Sequence, residues 1–156
     1  MPSAELKVIV SAPSIDVFDL IHDYARRLEW DTLLSEAYVE PGFDGAARGA
    51  VAVCRGKGLL GIITMRTEYV SFERGKVAAV KMLGRPPFFE SFAASIRHRD
   101  LDDGRSEVVY KLNFRARPRV LSGLLHPPML ALLRWETRKR LSALRRSFEN
   151  AGGGAK

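Results

Sequence analysis

The chain has 156 residues, 46% of them hydrophobic, which is enough for one ordinary domain with a real core and argues against disorder away from the ends. A single cysteine, Cys54, excludes an internal disulfide and a cysteine-based zinc site, and no apolar run approaches membrane-spanning length. The net charge of +7 is crowded into the C-terminal part, where Arg115, Arg117, Arg119, Arg134, Arg138, Lys139, Arg140, Arg145 and Arg146 are opposed mainly by Glu136 and Glu149.

One reading of such a charge is an electrostatic footprint for nucleic acid or anionic lipid. Aromatic residues, however, are not interleaved with these cations as a base-stacking platform requires, so the basic residues read as a solvated helix face and no nucleic-acid partner is expected. The N-terminus lacks a basic start followed by a long apolar core, which argues against a secretory signal and leads to the expectation of a cytoplasmic protein.

In chain order, Glu5 to Ser11 alternates, with Leu6, Val8 and Val10 on one side, and reads as a first strand. Ala12-Pro13-Ser14 breaks it, and Ser14 is a plausible N-cap for a helix over Ile15 to Asp23, with Ile15, Phe18, Ile21 and His22 on one face. A second short helical piece spans Tyr24 to Trp30. Ala37 to Glu40 and Ala50 to Arg55 read as further strands, the first ended by Pro41-Gly42. Ile62 to Glu73 and Lys76 to Leu83 form a hairpin about Arg74-Gly75. Phe88 to Asp100 and Ser106 to Ala116 form another about Asp102-Asp103-Gly104. In the last strand Val108, Tyr110, Leu112 and Phe114 alternate with Val109, Lys111, Asn113 and Arg115, so one face covers a core and the other meets water.

A long amphipathic helix over about His126 to Asn150 closes the chain. Leu130, Leu133, Leu141, Leu144 and Phe148 form its apolar stripe, with Thr137 on the same line. Burying those five side chains is worth about 10 kcal/mol before entropy is counted, so the helix must lie on the sheet. A single domain over residues 1–150 follows, with 151–156 as a mobile tail.

The opening Val8 to Pro13, followed by Val17-Phe18 and Trp30, carries a resemblance to a known family. So do Tyr69-Val70 ahead of the Gly75 turn and the closing Arg138 to Phe148. Over nearly its whole length the chain resembles the START-like (SRPBCC) superfamily of polyketide cyclase/dehydrase and lipid-transport proteins. The resemblance implies an α+β helix-grip fold. A curved antiparallel sheet wraps around a long C-terminal helix, with two short helices after the first strand. It also implies a cavity for a hydrophobic molecule between sheet and helix.

Gly56 to Gly61 matches G-x-G-x-x-G, but the β-forming Ile62 to Arg66 follows where a dinucleotide site needs a helix. It reads as a glycine hairpin, and no cofactor is implied. His22, His98 and His126 each stand alone, without metal-ligand spacing, so no metal site is expected. His22 reads as a packed or partly exposed helix residue, His98 as surface, and His126 as structural but near a cavity mouth. No Gly-x-Ser-x-Gly elbow is present, and Cys54 has no base partner in sequence.

Given the fold that the resemblance implies, inward-facing residues are the candidate cavity lining: Trp30, Val80, Met82, Phe88, Phe92, Ile96, Leu112, Phe114, Met129 and Leu133. Trp30 has packing as its first role. Glu90, in register with Phe88 and Phe92, is either a buried acid or base or a strand-end residue reaching water past Pro86-Pro87. Tyr110 is either an orienting hydroxyl or simply core.

Two functions from different classes follow. One is binding or carriage of a hydrophobic small molecule: a lipid, isoprenoid or polyketide. The other is an aromatase/cyclase-type enzyme with Glu90 and Tyr110 as catalytic acid and base. The enzyme reading is weakened because no inward cluster of arginine and tyrosine, of the kind the resemblance associates with cyclases, is legible. Arg66 reads as outward, across from Lys81. A membrane-facing or protein-interaction role for the basic helix ranks third, because its stripe is committed to the sheet. No stable membrane insertion is expected, and the oligomeric state is not legible.

Overall fold

A computed structural model describes residues 2–58, 61 and 63–154. The elements run β1 (Ser3–Val10), α1 (Ser14–His22), α2 (Arg27–Trp30), β2 (Leu34–Val39), β3 (Val51–Gly56), β4 (Thr64–Glu73), β5 (Val77–Leu83), β6 (Phe89–Asp100), β7 (Ser106–Ala116) and α3 (Ser122–Gly154). Among the described residues the strands form one antiparallel sheet in the order β1-β7-β6-β5-β4-β3-β2. The first strand pairs with the last, from Ser3 opposite Asn113 to Val10 opposite Ser106. The β1-to-β2 connection, which contains α1 and α2, therefore crosses from one edge of the sheet to the other. α3 packs mainly on β1 and β7. This is the helix-grip architecture.

Two apolar clusters hold the layers together. Val10, Val17, Phe18, Leu141 and Leu144 join β1, α1 and the C-terminal half of α3. Phe89, Ala94, Leu112 and Phe114 form the second, against which Met129, Leu130 and Leu133 of α3 pack. The period-two burial of β7 places Val108, Leu112 and Phe114 inside and leaves Lys111 and Asn113 exposed.

Several local expectations are corrected. α3 begins at Ser122, one turn before His126, and runs through Pro127 and Pro128. The proline pair removes the amides that would bond the Gly123 and Leu124 carbonyls, but leaves the preceding turn helical. α3 also includes Ala151–Gly154, placed above in a tail; Ala155 and Lys156 lie outside the described residues. The second helix is only the turn Arg27–Trp30.

Ser14 does not cap α1 with its side chain. Instead Asp100, at the end of β6, accepts from the Ser14 amide (2.7 Å) and hydroxyl (3.1 Å), which satisfies the helix start from across the fold. Between β3 and β4 the described glycines Gly58 and Gly61 adopt 3-10 helical conformation instead of a simple hairpin. Strand β4, not the α-helix that a dinucleotide site needs, follows at Thr64; Leu59, Leu60 and Ile62 lie outside the described residues.

The register contains bulges that strict alternation does not foresee. One lies between Tyr69 and Ser71, so Tyr69 and Phe72 both turn inward. Another lies between Phe89 and Ser91, so Phe89 joins Phe92, Ala94 and Ile96 on the inner face. Phe88, just before it, is half exposed and has φ of 71°, a strained region for a residue with a side chain.

His98 is buried, contrary to the surface position expected. It continues the inner-face series of β6, and α1 covers that end of the sheet, with the Phe18 ring 5.3 Å away.

Candidate functional site

Between the concave face of the sheet and α3 lies a cavity of about 420 Å³. Its apolar walls come from alternate strand residues and the inner stripe of α3: Met65, Val80, Phe92, Leu112, Met129 and Leu133 among them. Phe88 and Leu132 also line it yet are about half exposed, so they mark its opening.

The other end of the cavity is polar. α2 contributes Arg27 and α3 contributes Arg140, and both guanidiniums donate through Nε to one oxygen of Asp31, at 3.0 and 2.7 Å. The other Asp31 oxygen accepts from the Leu33 amide at 3.2 Å. Burial alone would raise the Asp31 carboxyl, but Arg140 and Arg27 outweigh it and hold it below the usual carboxylate range. Burial likewise works against the Arg140 charge, which Asp31 restores. Arg27 also lies over the Trp30 ring, 5.0 Å from its centroid, and its Nη1 donates to the Ile21 carbonyl.

Beside these cations runs a hydroxyl chain. Tyr24 and Tyr69 share a hydrogen bond of 2.8 Å between their hydroxyls, and Tyr69 bonds His22 Nδ1 at 2.8 Å. Burial pushes the Tyr24 phenol up to about 12, that of Tyr69 well above 10, and that of Tyr110 upward. Burial also lowers His22 to about 3, so its ring is neutral. Its Nε2 is buried without a protein partner among the described residues. Glu136, one turn before Arg140, lines the same end, and burial raises its carboxyl. Cys54 lines it too, with its thiol pushed up by burial.

The residues named from sequence divide clearly. Val80, Phe88, Phe92, Ile96, Tyr110, Leu112, Met129 and Leu133 come together on the cavity wall. Trp30 and Phe114 are buried in the core instead, Trp30 under Arg27 and Phe114 against Phe89. Met82 packs against the second cluster without lining the cavity. Glu90 is not on the wall. The bulge beside it turns it away, toward Arg119 (3.6 Å) and Arg85 (4.0 Å).

His126 is structural. Its Nε2 accepts from the Ala116 amide at 3.1 Å and its ring meets Phe114 edge-on, tying the start of α3 to the end of β7. Arg66 faces outward and pairs with Glu40, opposite Leu83; Lys81 stands opposite Glu68. Among the described residues no three His, Cys, Asp or Glu side chains gather as a metal site requires, and no helix is long and apolar enough to cross a membrane.

Residues 1–149 match the family described as polyketide cyclase / dehydrase and lipid transport. The chain belongs to that family. No curated protein matches it. Among solved structures it is similar to the Zhui aromatase/cyclase from a Streptomyces species, with 18% identity over 95% of this chain and 93% of that one and a TM-score of 0.77. A START superfamily protein from Mycobacterium smegmatis is 13% identical over 96% of this chain and 98% of that one, with a TM-score of 0.75. The di-domain ARO/CYC BexL is 12% identical with a TM-score of 0.77; this chain is covered over 96% and spans 47% of BexL. At such identities the likeness carries the fold alone.

Within this fold an inward arginine–tyrosine cluster, not legible in the sequence, is present. It consists of Arg27, Arg140, Tyr24, Tyr69 and Tyr110. Apart from Tyr24 and Arg27, which are three residues apart, these residues come from distant parts of the chain. A usable signal existed on α3: Arg140 is three residues after Thr137 and four before Leu144, at the seam of the apolar stripe.

Proposed function

We propose that this protein binds one elongated, mostly apolar small molecule, of lipid, isoprenoid or polyketide-like character, with an uncharged oxygen at its inner end. The carrying observation is the cavity of about 420 Å³ that is apolar at its opening and ends in the Arg27–Asp31–Arg140 and tyrosine cluster. That volume lies in the ordinary range for small-molecule sites, about 300–1,000 Å³. Arg27 and Arg140 are balanced by Asp31 and Glu136, so the inner end carries no surplus charge for an ionic head. A carbonyl, quinone or phenol oxygen suits it, accepting from guanidinium or tyrosine donors at little desolvation cost.

The reading is tested by displacement of an apolar fluorophore by chain-matched hydrocarbons and ketones. Ketones should bind more tightly, and Tyr110→Phe should weaken ketones by up to about tenfold while leaving hydrocarbons unchanged. Ala94→Trp, which projects an indole from the wall into the cavity, should abolish both. Equal binding by wild type and Ala94→Trp would refute it.

A second reading, cyclisation of a poly-β-carbonyl chain, is favoured by one observation. Glu136, its carboxyl raised by burial, stands beside Arg140 at the same end as Tyr110. Glu136 would take a proton α to a carbonyl, and Arg140 and Tyr110 would hold the enolate oxygen. The enolate carbon would attack a second carbonyl of the chain, whose π bond opens to an alkoxide that takes the proton back from Glu136. Glu136→Gln should then abolish turnover of a poly-β-ketone mimic with binding retained, whereas Glu90→Gln should change neither.

A further inference from the structure

The segment from Val120 to Leu133 contains no Asp, Glu, Lys or Arg, and between Asn113 and Phe148 the only acidic residue is Glu136, which faces the cavity. One side of this segment packs on the sheet through Met129, Leu130 and Leu133. Its other side is apolar as well, and bare. Val120 is 91% exposed and Leu124 77%, while Leu121, Leu132 and Trp135 are each about half exposed. Phe88 joins them from the loop before β6, tied to this region by the Arg117 amide bonding its carbonyl at 3.0 Å.

Basic residues flank this surface. Arg117 and Arg119 precede it, and Arg134, Arg138 and Lys139 follow it. The Lys139 ammonium rests 4.7 Å over the Trp135 ring. Arg85 comes from the loop that carries Phe88, and Glu90 partly neutralises Arg85 and Arg119. Leu132 and Phe88 belong both to this surface and to the cavity opening.

We propose that this face is a docking surface for an anionic lipid bilayer, with Val120, Leu121, Leu124 and Trp135 entering the interfacial layer and the flanking arginines meeting lipid phosphates. A partly apolar helix start with basic flanks and an interfacial tryptophan has the composition of a segment that lies in a membrane surface. Fourteen residues are too few to cross a bilayer, so the docking is peripheral. A second copy of the chain is the wrong occupant, because packing this face on itself would bring the same arginines together. Docking here would set the cavity opening against the membrane. The inference does not depend on what the cavity holds.

The test is flotation of the full chain with vesicles of equal parts phosphatidylcholine and phosphatidylglycerol, and with vesicles of phosphatidylcholine alone. The double variant Val120→Ser/Leu124→Ser changes two exposed side chains outside the cavity, so its circular dichroism and melting should match wild type. We expect wild type to float with the anionic vesicles and much less with the neutral ones, binding to weaken as salt rises, and the double variant to bind roughly tenfold or more weakly. Failure of wild type to float with anionic vesicles would overturn the proposal. So would unchanged flotation of the double variant, or light scattering that shows a stable dimer lost in that variant.

Discussion

Asp31 holds the polar end of the cavity together. Its side chain has no exposed surface and accepts from both Arg27 and Arg140. Asp31→Ala leaves two nearly buried cations without their counter-ion, and should cost about 3–5 kcal/mol of stability, read as a lower urea midpoint. The histidines give a pH dependence with a defined sign. Burial lowers His98 to about 4 and His22 to about 3, both well below the ordinary 6.5. The unfolded chain therefore takes up protons that the folded chain refuses. Stability is full above pH 6.5 and falls as the pH drops, the loss being complete near pH 4 for His98 and near pH 3 for His22. The slope is about 1.4 kcal/mol per pH unit for each ring. Neither nitrogen of His98 has a hydrogen-bond partner among the described residues, so a shape-filling apolar residue loses nothing there. His98→Leu should flatten the acid limb of a stability-against-pH curve measured by urea unfolding. An unchanged limb would mean that carboxylates alone carry the acid sensitivity.

At the scale of elements, α3 has two apolar faces with different roles. Leu144 is fully buried against β1 and α1, whereas Leu124 is largely exposed. Leu144→Ala should cost about 2–5 kcal/mol, while Leu124→Ser should stay within about 0.5 kcal/mol in thermal unfolding. Hairpins and helices were legible in the sequence because their signals are local. The Asp102-Asp103-Gly104 turn, with Gly104 at a φ of 80°, and the full extent of β7 follow from turn chemistry and period-two burial. Bulges were not legible, because a single extra residue leaves no mark on composition. The one beside Glu90 brings Phe89 onto the inner face and turns Glu90 away from the face of Phe92, with which strict alternation had put it in register. Likewise the exposed start of α3 was hidden behind Pro127-Pro128, which suggested that the helix began at His126. Of the site, the apolar wall was readable from alternation. The polar end was not, since Arg27, Tyr69, Tyr110 and Arg140 meet only when the sheet curves.

For the whole molecule, the pairing of β1 with β7 explains why one sheet can grip one helix. It places the long chain segment with α1 and α2 across the concave side, where Arg27 and Tyr24 close one end of the cavity while Phe88 and Leu132 border the other. The two clusters flanking the cavity each fill with side chains, yet the space between sheet and α3 does not, and an unfilled apolar interior of this size forgoes packing that a ligand would supply. Native mass spectrometry of the protein purified from its own cells, followed by solvent extraction, tests this most directly. Wild type should retain a single apolar, oxygen-bearing molecule after equilibration with a lipid extract of the same cells, and Ala94→Trp should retain none. A bare wild-type mass after that equilibration, or an adduct that persists in Ala94→Trp, would contradict a ligand held in this cavity.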